Sequence, residues 1–229
     1  MVASAHRSER LGDEIATVEW VVYETIRDRI VRGLEPGTVL ALAPIADELG
    51  VSTMPVRAAL ARLRSEGLVM QSPRRGSTVA PATIDDLEEI QAIRSGLEGY
   101  GARICVPNLD DERIARMARI LKKVRASSRK LSTDNQVNAF LACEYQLHDE
   151  LFAASGRREL VDLIRVYRRR AERYVRLALR SESKGFTSDV ELQQELFEAL
   201  ADRDADRAEQ TIRSILQWTV HFCRPLLND

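Results

Sequence analysis

The chain has 229 residues, with 34 basic side chains against 35 acidic ones and a formal net charge of −1. That balance excludes binding to nucleic acid or to an anionic surface through bulk charge, so any such contact must come from a local patch. The hydrophobic share of 45% supports a sizeable core in one or two domains, and no run reaches the roughly 18 apolar residues of a membrane span.

Residues 1–14 are polar and lack the apolar region of a signal peptide, which reads as a flexible tail on a cytoplasmic protein. A first domain over 15–80 follows. Its most informative stretch is Ile45–Gly76. A short helix, Ile45–Leu49, ends at Gly50, where a residue without Cβ takes a left-handed cap cheaply. Val51 reads as a buried turn residue and Ser52 as an N-cap. Pro55 falls in the first turn of the next helix, where its missing N–H costs nothing. Val56, Ala59, Leu60 and Leu63 recur at helical spacing and face a core. Thr53, Met54, Arg57 and Arg64 occupy the opposite face, where short side chains and an arginine suit close approach to base edges and phosphates. Gly67 stops this helix. Leu68–Gln71 and Thr78–Ala80 read as two strands, joined by Ser72-Pro73-Arg74-Arg75-Gly76. The charge is local: residues 51–80 hold five arginines and one acid, Glu66, whereas residues 18–50 hold three arginines and six acids. A near-neutral chain with one basic edge fits DNA binding.

Residues 81–83 read as a linker, with Thr83 capping a helix whose first turn carries Asp85 and Asp86. Ile84, Leu87, Ile90, Ile93 (or Ala92) and Leu97 set its apolar stripe. Further helices run from Asp110–Glu112 through Val124, from Thr133-Asp134 to Ala154 with a stop at Ser155-Gly156, from Arg158 to Ser181, from Ser188 to Ala201, and from Asp204 to Arg224. The expected fold is mainly α: an N-terminal winged helix-turn-helix with a small β-hairpin wing, then an antiparallel bundle of about six helices over 84–225. Cys105, Cys143 and Cys223 form no CxxC pair and read as reduced thiols. Arg165, Arg169, Arg173 and Arg176 share a face; this reads as a solvated helix side with one or two arginines reaching inward, rather than a second nucleic-acid surface. Trp218 and Phe222 read as core.

The residues RGLEPG, LGVS-xx-PVR-x-AL-xx-L-xx-EGLV and the glycine after the wing basics, within 18–80, resemble the DNA-binding domain of the GntR family of bacterial transcription regulators. The sequence departs from the family pattern at Thr53, at Ala58 and in the run Ala41–Pro44, so no operator sequence carries over. DDLEEIQAIRSGLEGYGARI, HDELFAASGRREL and LFEALADRDADRAEQTIRSIL, within 84–224, resemble the helical effector-binding (FCD) domain of the FadR subfamily. The resemblance implies a homodimeric repressor, without enzyme activity, that binds a double-stranded DNA operator through Ser52, Thr53, Met54, Arg57, Arg64, Arg74, Arg75 and Gly76. It also implies a small-molecule effector, a carboxylate or acyl compound.

Many members hold a divalent metal with an Asp, a His four residues later and two further His. The matching positions here are Glu144, His148, Gln193 and Ile215. Two good donors are too few for tight binding, so no metal cofactor is expected. With Arg94 and Arg173 these four residues form the candidate pocket. Arg94 reads either as an anchor for a carboxylate or as the partner of Glu98 in helix packing. An enzyme using Glu144 and His148 as acid and base lacks a nucleophile motif and a phosphate loop. A protein-interaction module with a degenerate winged domain is the other alternative.

Overall fold

The computed structural model describes residues 18–128, 131, 133–181 and 187–227, so the tail at 1–14 lies outside the described residues. The chain divides into two compact units between Pro81 and Ala82.

In the first unit, α1 covers residues 18–31, α2 Leu42–Leu49 and α3 Thr53–Ser65, followed by β1 (Val69–Ser72) and β2 (Gly76–Val79). Helix α2 starts three residues earlier than its pattern indicated. Pro44 therefore sits in its first turn, where no N–H is needed. Gly50 takes φ 64°, and the Val51 N–H returns to the Ala46 carbonyl at 3.0 Å. Val51 is partly buried rather than fully so. The core joins Val22, Tyr23, Ile26 and Ile30 of α1 to Val56, Ala59, Leu60 and Leu63 of α3, closed by Leu68, Val69 and Val79.

The hairpin is shifted from its expected bounds. Its antiparallel register pairs Val69 with Val79 and Ser72 with Gly76, leaving Pro73, Arg74 and Arg75 as the loop. A third extended segment, unseen in the sequence, runs beside β2. Val39 bridges Thr78, the Leu40 N–H donates to the Ser77 carbonyl at 2.8 Å, and the Val79 N–H donates to the Thr38 carbonyl at 3.0 Å. So short a segment displays no period-two alternation to read.

The second unit contains α4 (Ile84–Cys105), a 3-10 turn (Val106–Asn108), α5 (Asp111–Ser128), α6 (Asp134–Ala153), α7 (Arg158–Ser181), α8 (Thr187–Ala201) and α9 (Ala205–Leu227). Starts and stops follow local chemistry. The Thr83 side chain accepts from the Asp86 N–H at 3.2 Å, and Thr133 and Gln136 form a reciprocal capping box at α6. Gly156, at φ 63°, turns the chain into α7. Helix α4 lies against α6, α7 and α9, while α5 packs on α6 and α8. A Cβ at Gly101 would stand 3.1 Å from the Phe152 ring and 3.3 Å from Ile164, so glycine there permits the close approach of α4.

Two apolar clusters fill the bundle. One holds Ala102, Met117, Leu147, Phe152, Ile164, Leu196 and Ile215; the other holds Leu87, Ile90, Phe140, Tyr174, Trp218 and Cys223. On four helices, buried polar residues occur where the chain passes from one cluster to the other. They are Gln91, Arg94 and Glu98 on α4, Glu144 and His148 on α6, Arg168 and Glu172 on α7, and Gln193 on α8. This layer displaces the expected apolar stripe on α4: Ile93 is 41% exposed and Ala92 is exposed too, while Arg94 and Glu98 point inward. All three cysteines are free, and burial pushes the Cys105 and Cys223 thiols up to about 12, so both stay protonated at neutral pH. No helix among the described residues is long and apolar enough to cross a membrane.

Candidate functional site

Two sets of residues carry the chemistry, one in each unit. In the first unit, Ser52 occupies the N-cap position of α3 but its side chain makes no capping bond. The first turn of α3 therefore presents unsatisfied N–H groups beside exposed Ser52, Thr53 and Met54, an arrangement open to an anion. Met54 is 71% exposed, far more than a core methionine. Arg57 and Arg64 project from the same helix, and Arg57, Arg64, Gln71, Arg75, Gly76 and Ser77 line a cavity of about 340 Å³ with residues 39–42. Arg74 sits at φ 75°, a left-handed conformation that costs a non-glycine residue about 1–2 kcal/mol. Gly76 shares that φ without the cost. The wing tip thus lifts two arginines clear of the sheet. Among the described residues, Arg57, Arg64, Arg74 and Arg75 meet no carboxylate, although Arg62 on the same helix pairs with Glu66 at 3.3 Å and stacks on Tyr23.

In the second unit the structure brings together Arg94, Glu144, His148 and Gln193. The His148 Nε2–H donates to Gln193 Oε1 at 3.2 Å, and Gln193 Nε2 donates to Glu144 Oε1 at 3.2 Å. Arg94 Nε donates to Glu98 Oε1 at 2.6 Å, its Nη1 donates to Gln91, and Gln91 in turn donates to the Leu216 carbonyl. His148 Nδ1 and Glu98 Oε2 face each other at 3.9 Å, too far for a hydrogen bond, and neither has a partner. Burial, reinforced by the charges of Arg168 and Arg94, holds His148 well below the usual histidine range, so it is neutral. Burial raises the Glu144 carboxyl against the opposing pull of Arg168 and Arg94.

Arg173 stands apart from this set. Its Nη2 reaches Asp86 at 3.3 Å and the Tyr174 hydroxyl at 2.8 Å, pinning α7 to the start of α4. Tyr174 also donates to Asp86, and burial lifts its hydroxyl to about 12. Ile215 belongs to the apolar cluster. The position that Arg173 was expected to fill is taken by Arg168, which is 7% exposed and acts electrostatically on both Glu144 and His148. Sequence reading missed it. The available signal was the seven-residue recurrence of Ile164, Ala171 and Ala178, whose stripe includes position 168.

These residues do not fit a metal centre. The Gln193 carboxamide already spans Glu144 and His148 and occupies the His148 Nε2 position. Ile215 offers no donor, and among the described residues no group of three or more His, Cys, Asp or Glu could hold an ion.

A helix-turn-helix with a basic wing, joined to a separate helical bundle with a polar core, defines a two-part DNA-binding regulator. Residues 20–79 match the family model described as bacterial regulatory proteins, gntR family, and residues 89–217 match the FCD domain. The chain belongs to the GntR family of transcription regulators, with an FCD domain as its helical half. It is 29% identical over 153 residues to an uncharacterized HTH-type regulator of Agrobacterium vitis, covering 65% of this chain and 88% of that protein. Its identity to the Escherichia coli transcriptional repressor RspR is 25%, covering 86% and 84%. Among solved structures, E. coli McbR/YncC superposes with a TM-score of 0.75 at 22% identity, covering 91% of this chain and 98% of that one, a likeness of fold.

Proposed function

We propose that this chain is a cytoplasmic, ligand-responsive repressor that binds a near-palindromic operator as a homodimer. The observation that carries the reading is the set of four exposed arginines, Arg57, Arg64, Arg74 and Arg75, which meet no carboxylate among the described residues; three of them, Arg57, Arg64 and Arg75, line one groove. Phosphate contacts from such groups set affinity and register, while Thr53 and Met54 at the exposed helix start are suited to base edges and thymine methyls. Two copies place two such helices in successive major grooves, so half-sites fall about one helical turn or a multiple apart. The repressor reading leans on the similarity to RspR, which is named as a repressor.

The effector binds in the helical unit, at the layer of Arg94, Glu144, His148 and Gln193, without a tightly held metal. A ligand that favours one arrangement of the two heads weakens or strengthens DNA binding by the same free energy with which DNA acts on the ligand. Selection of binding sites from a random duplex library by the full-length protein tests the proposal. An enriched inverted repeat is expected. Uniform recovery of all sequences would sink it.

A further inference from the structure

We infer that the exposed side of α4 is the surface on which a second copy of this chain docks, the two α4 helices lying antiparallel about a two-fold axis at Gly96. This rests on the homodimer reading above and gives it a surface.

Helix α4 buries Leu87, Ile90, Arg94, Glu98 and Ala102 in its own bundle. Its other side is exposed at Glu89, Ile93, Gly96, Tyr100 and Arg103. These residues are spaced four, three, four and three apart, the heptad seam of a helix that runs beside another helix. Ile93 and Tyr100 are each close to half exposed, and Leu163 and Val166 add exposed apolar surface on α7, which packs on α4.

The seam is complementary to itself. In an antiparallel pair centred on Gly96, residues equally far before and after it face each other. Glu89 and Arg103 each lie seven residues from Gly96, so Glu89 meets the partner's Arg103 at both ends, and Ile93 meets the partner's Tyr100 between them. Glu89 meets no basic side chain among the described residues. Arg103 already holds Asp206 and, at 3.2 Å, Glu209, but Glu209 is shared with Arg213. With its side chain 48% exposed, the Arg103 fork has donors left for a further carboxylate. A parallel pair would instead set Glu89 against Glu89 and Arg103 against Arg103, which repulsion opposes. The centre agrees with this order. A Cβ at Gly96 would meet nothing within 4 Å in its own chain, so packing inside the protomer does not call for glycine, and a glycine inside a helix weakens it. A second helix crossing closely at that point does call for it.

Sedimentation of the full-length protein over a range of concentrations, combined with native mass spectrometry, tests the surface. Wild type should sediment as a dimer. Ile93→Glu and Gly96→Glu should each raise the dimer Kd about tenfold or more while the protomer stays folded by circular dichroism, since both side chains point to solvent in the protomer. Glu89→Arg alone and Arg103→Glu alone each set like charges together at both ends and should weaken the dimer about tenfold. Mixing these two variants should restore it, because the mixed pair has opposite charges at both ends, so the heterodimer should exceed the statistical half. If Arg103→Glu does not fold, Ile93→Glu and Gly96→Glu carry the test. A monomeric wild type, wild-type dimerisation of Ile93→Glu and Gly96→Glu, or statistical mixing of the charge variants overturns the inference. A chain that dimerises and selects an inverted repeat, yet is indifferent to these substitutions, loses this surface alone; a chain that selects no inverted repeat loses the homodimeric operator reading itself.

Discussion

The arginines of the two units are deployed in opposite ways. On the reading edge, Arg57, Arg64, Arg74 and Arg75 are exposed and meet no acid among the described residues. In the bundle, arginine after arginine closes on a carboxylate of its own unit: Arg94 on Glu98, Arg116 on Glu150, Arg165 on Asp149, Arg176 on Glu172 and Arg213 on Glu209. The same side chain is answered by an acid within the bundle, along one helix or between two, and is left for an outside anion on the reading edge. An exposed arginine stays solvated and ready to exchange counterions for phosphate. A buried one must be answered inside.

The largest expected effect sharpens this contrast. Arg94→Ala leaves the Glu98 carboxylate, 1% exposed, without its partner, and breaking such a buried pair costs about 3–5 kcal/mol. Denaturant unfolding reads it as a lower midpoint. A loss below about 1 kcal/mol would mean that the pair is not a packing element, and the comparison would fail on the bundle side.

Arg57→Ala tests the other side. Stability should move by less than about 0.5 kcal/mol, because the side chain is exposed and unpaired among the described residues. Affinity for the selected operator should drop about tenfold to a hundredfold, with a shallower dependence on salt. Full operator affinity in the variant would remove Arg57 from the interface.

How much of this was legible follows from what each residue answers to. The α3 core positions Val56, Ala59, Leu60 and Leu63 are all buried, because a helix against a core imposes its period directly on the sequence. Caps were equally readable: Thr83 and Thr133 both accept first-turn N–H groups. Ser52 sits at the N-cap position and makes no capping bond, since position is a local matter and hydroxyl orientation is not. The polar layer was the least legible. On α4 its members replace the apolar stripe at Arg94 and Glu98, so periodicity led to Ile93 and Ala92, which are exposed. On α7, arginines at 165, 168, 169, 170, 173 and 176 spread over the whole helix, and charge alone cannot tell the buried side. Gly101 was silent for a different reason: its role is to let the Phe152 ring approach, a contact visible only in the packed bundle.

The smallest expected effect concerns protons in that layer, where two groups pull in opposite directions. The folded state holds His148 neutral, while the unfolded chain protonates it near pH 6.5. Its contribution to stability is therefore complete above about pH 6.5 and is lost as pH falls toward the depressed folded value, by up to about 1.4 kcal/mol per pH unit. Glu144 behaves inversely. Its folded carboxyl keeps a proton that the unfolded chain releases above about pH 4.3, so its contribution is complete below that point and is lost as pH rises through the raised folded value. Comparing urea midpoints at about pH 7 and pH 5 should therefore split two variants. Relative to wild type, His148→Gln gains stability on acidification and Glu144→Gln loses it. If both variants keep the wild-type difference, neither group is desolvated as strongly as its place among Arg94, Arg168 and Gln193 requires. The layer would then be hydrated, and the bundle's arginines would differ less from those on the reading edge than their pairing indicates.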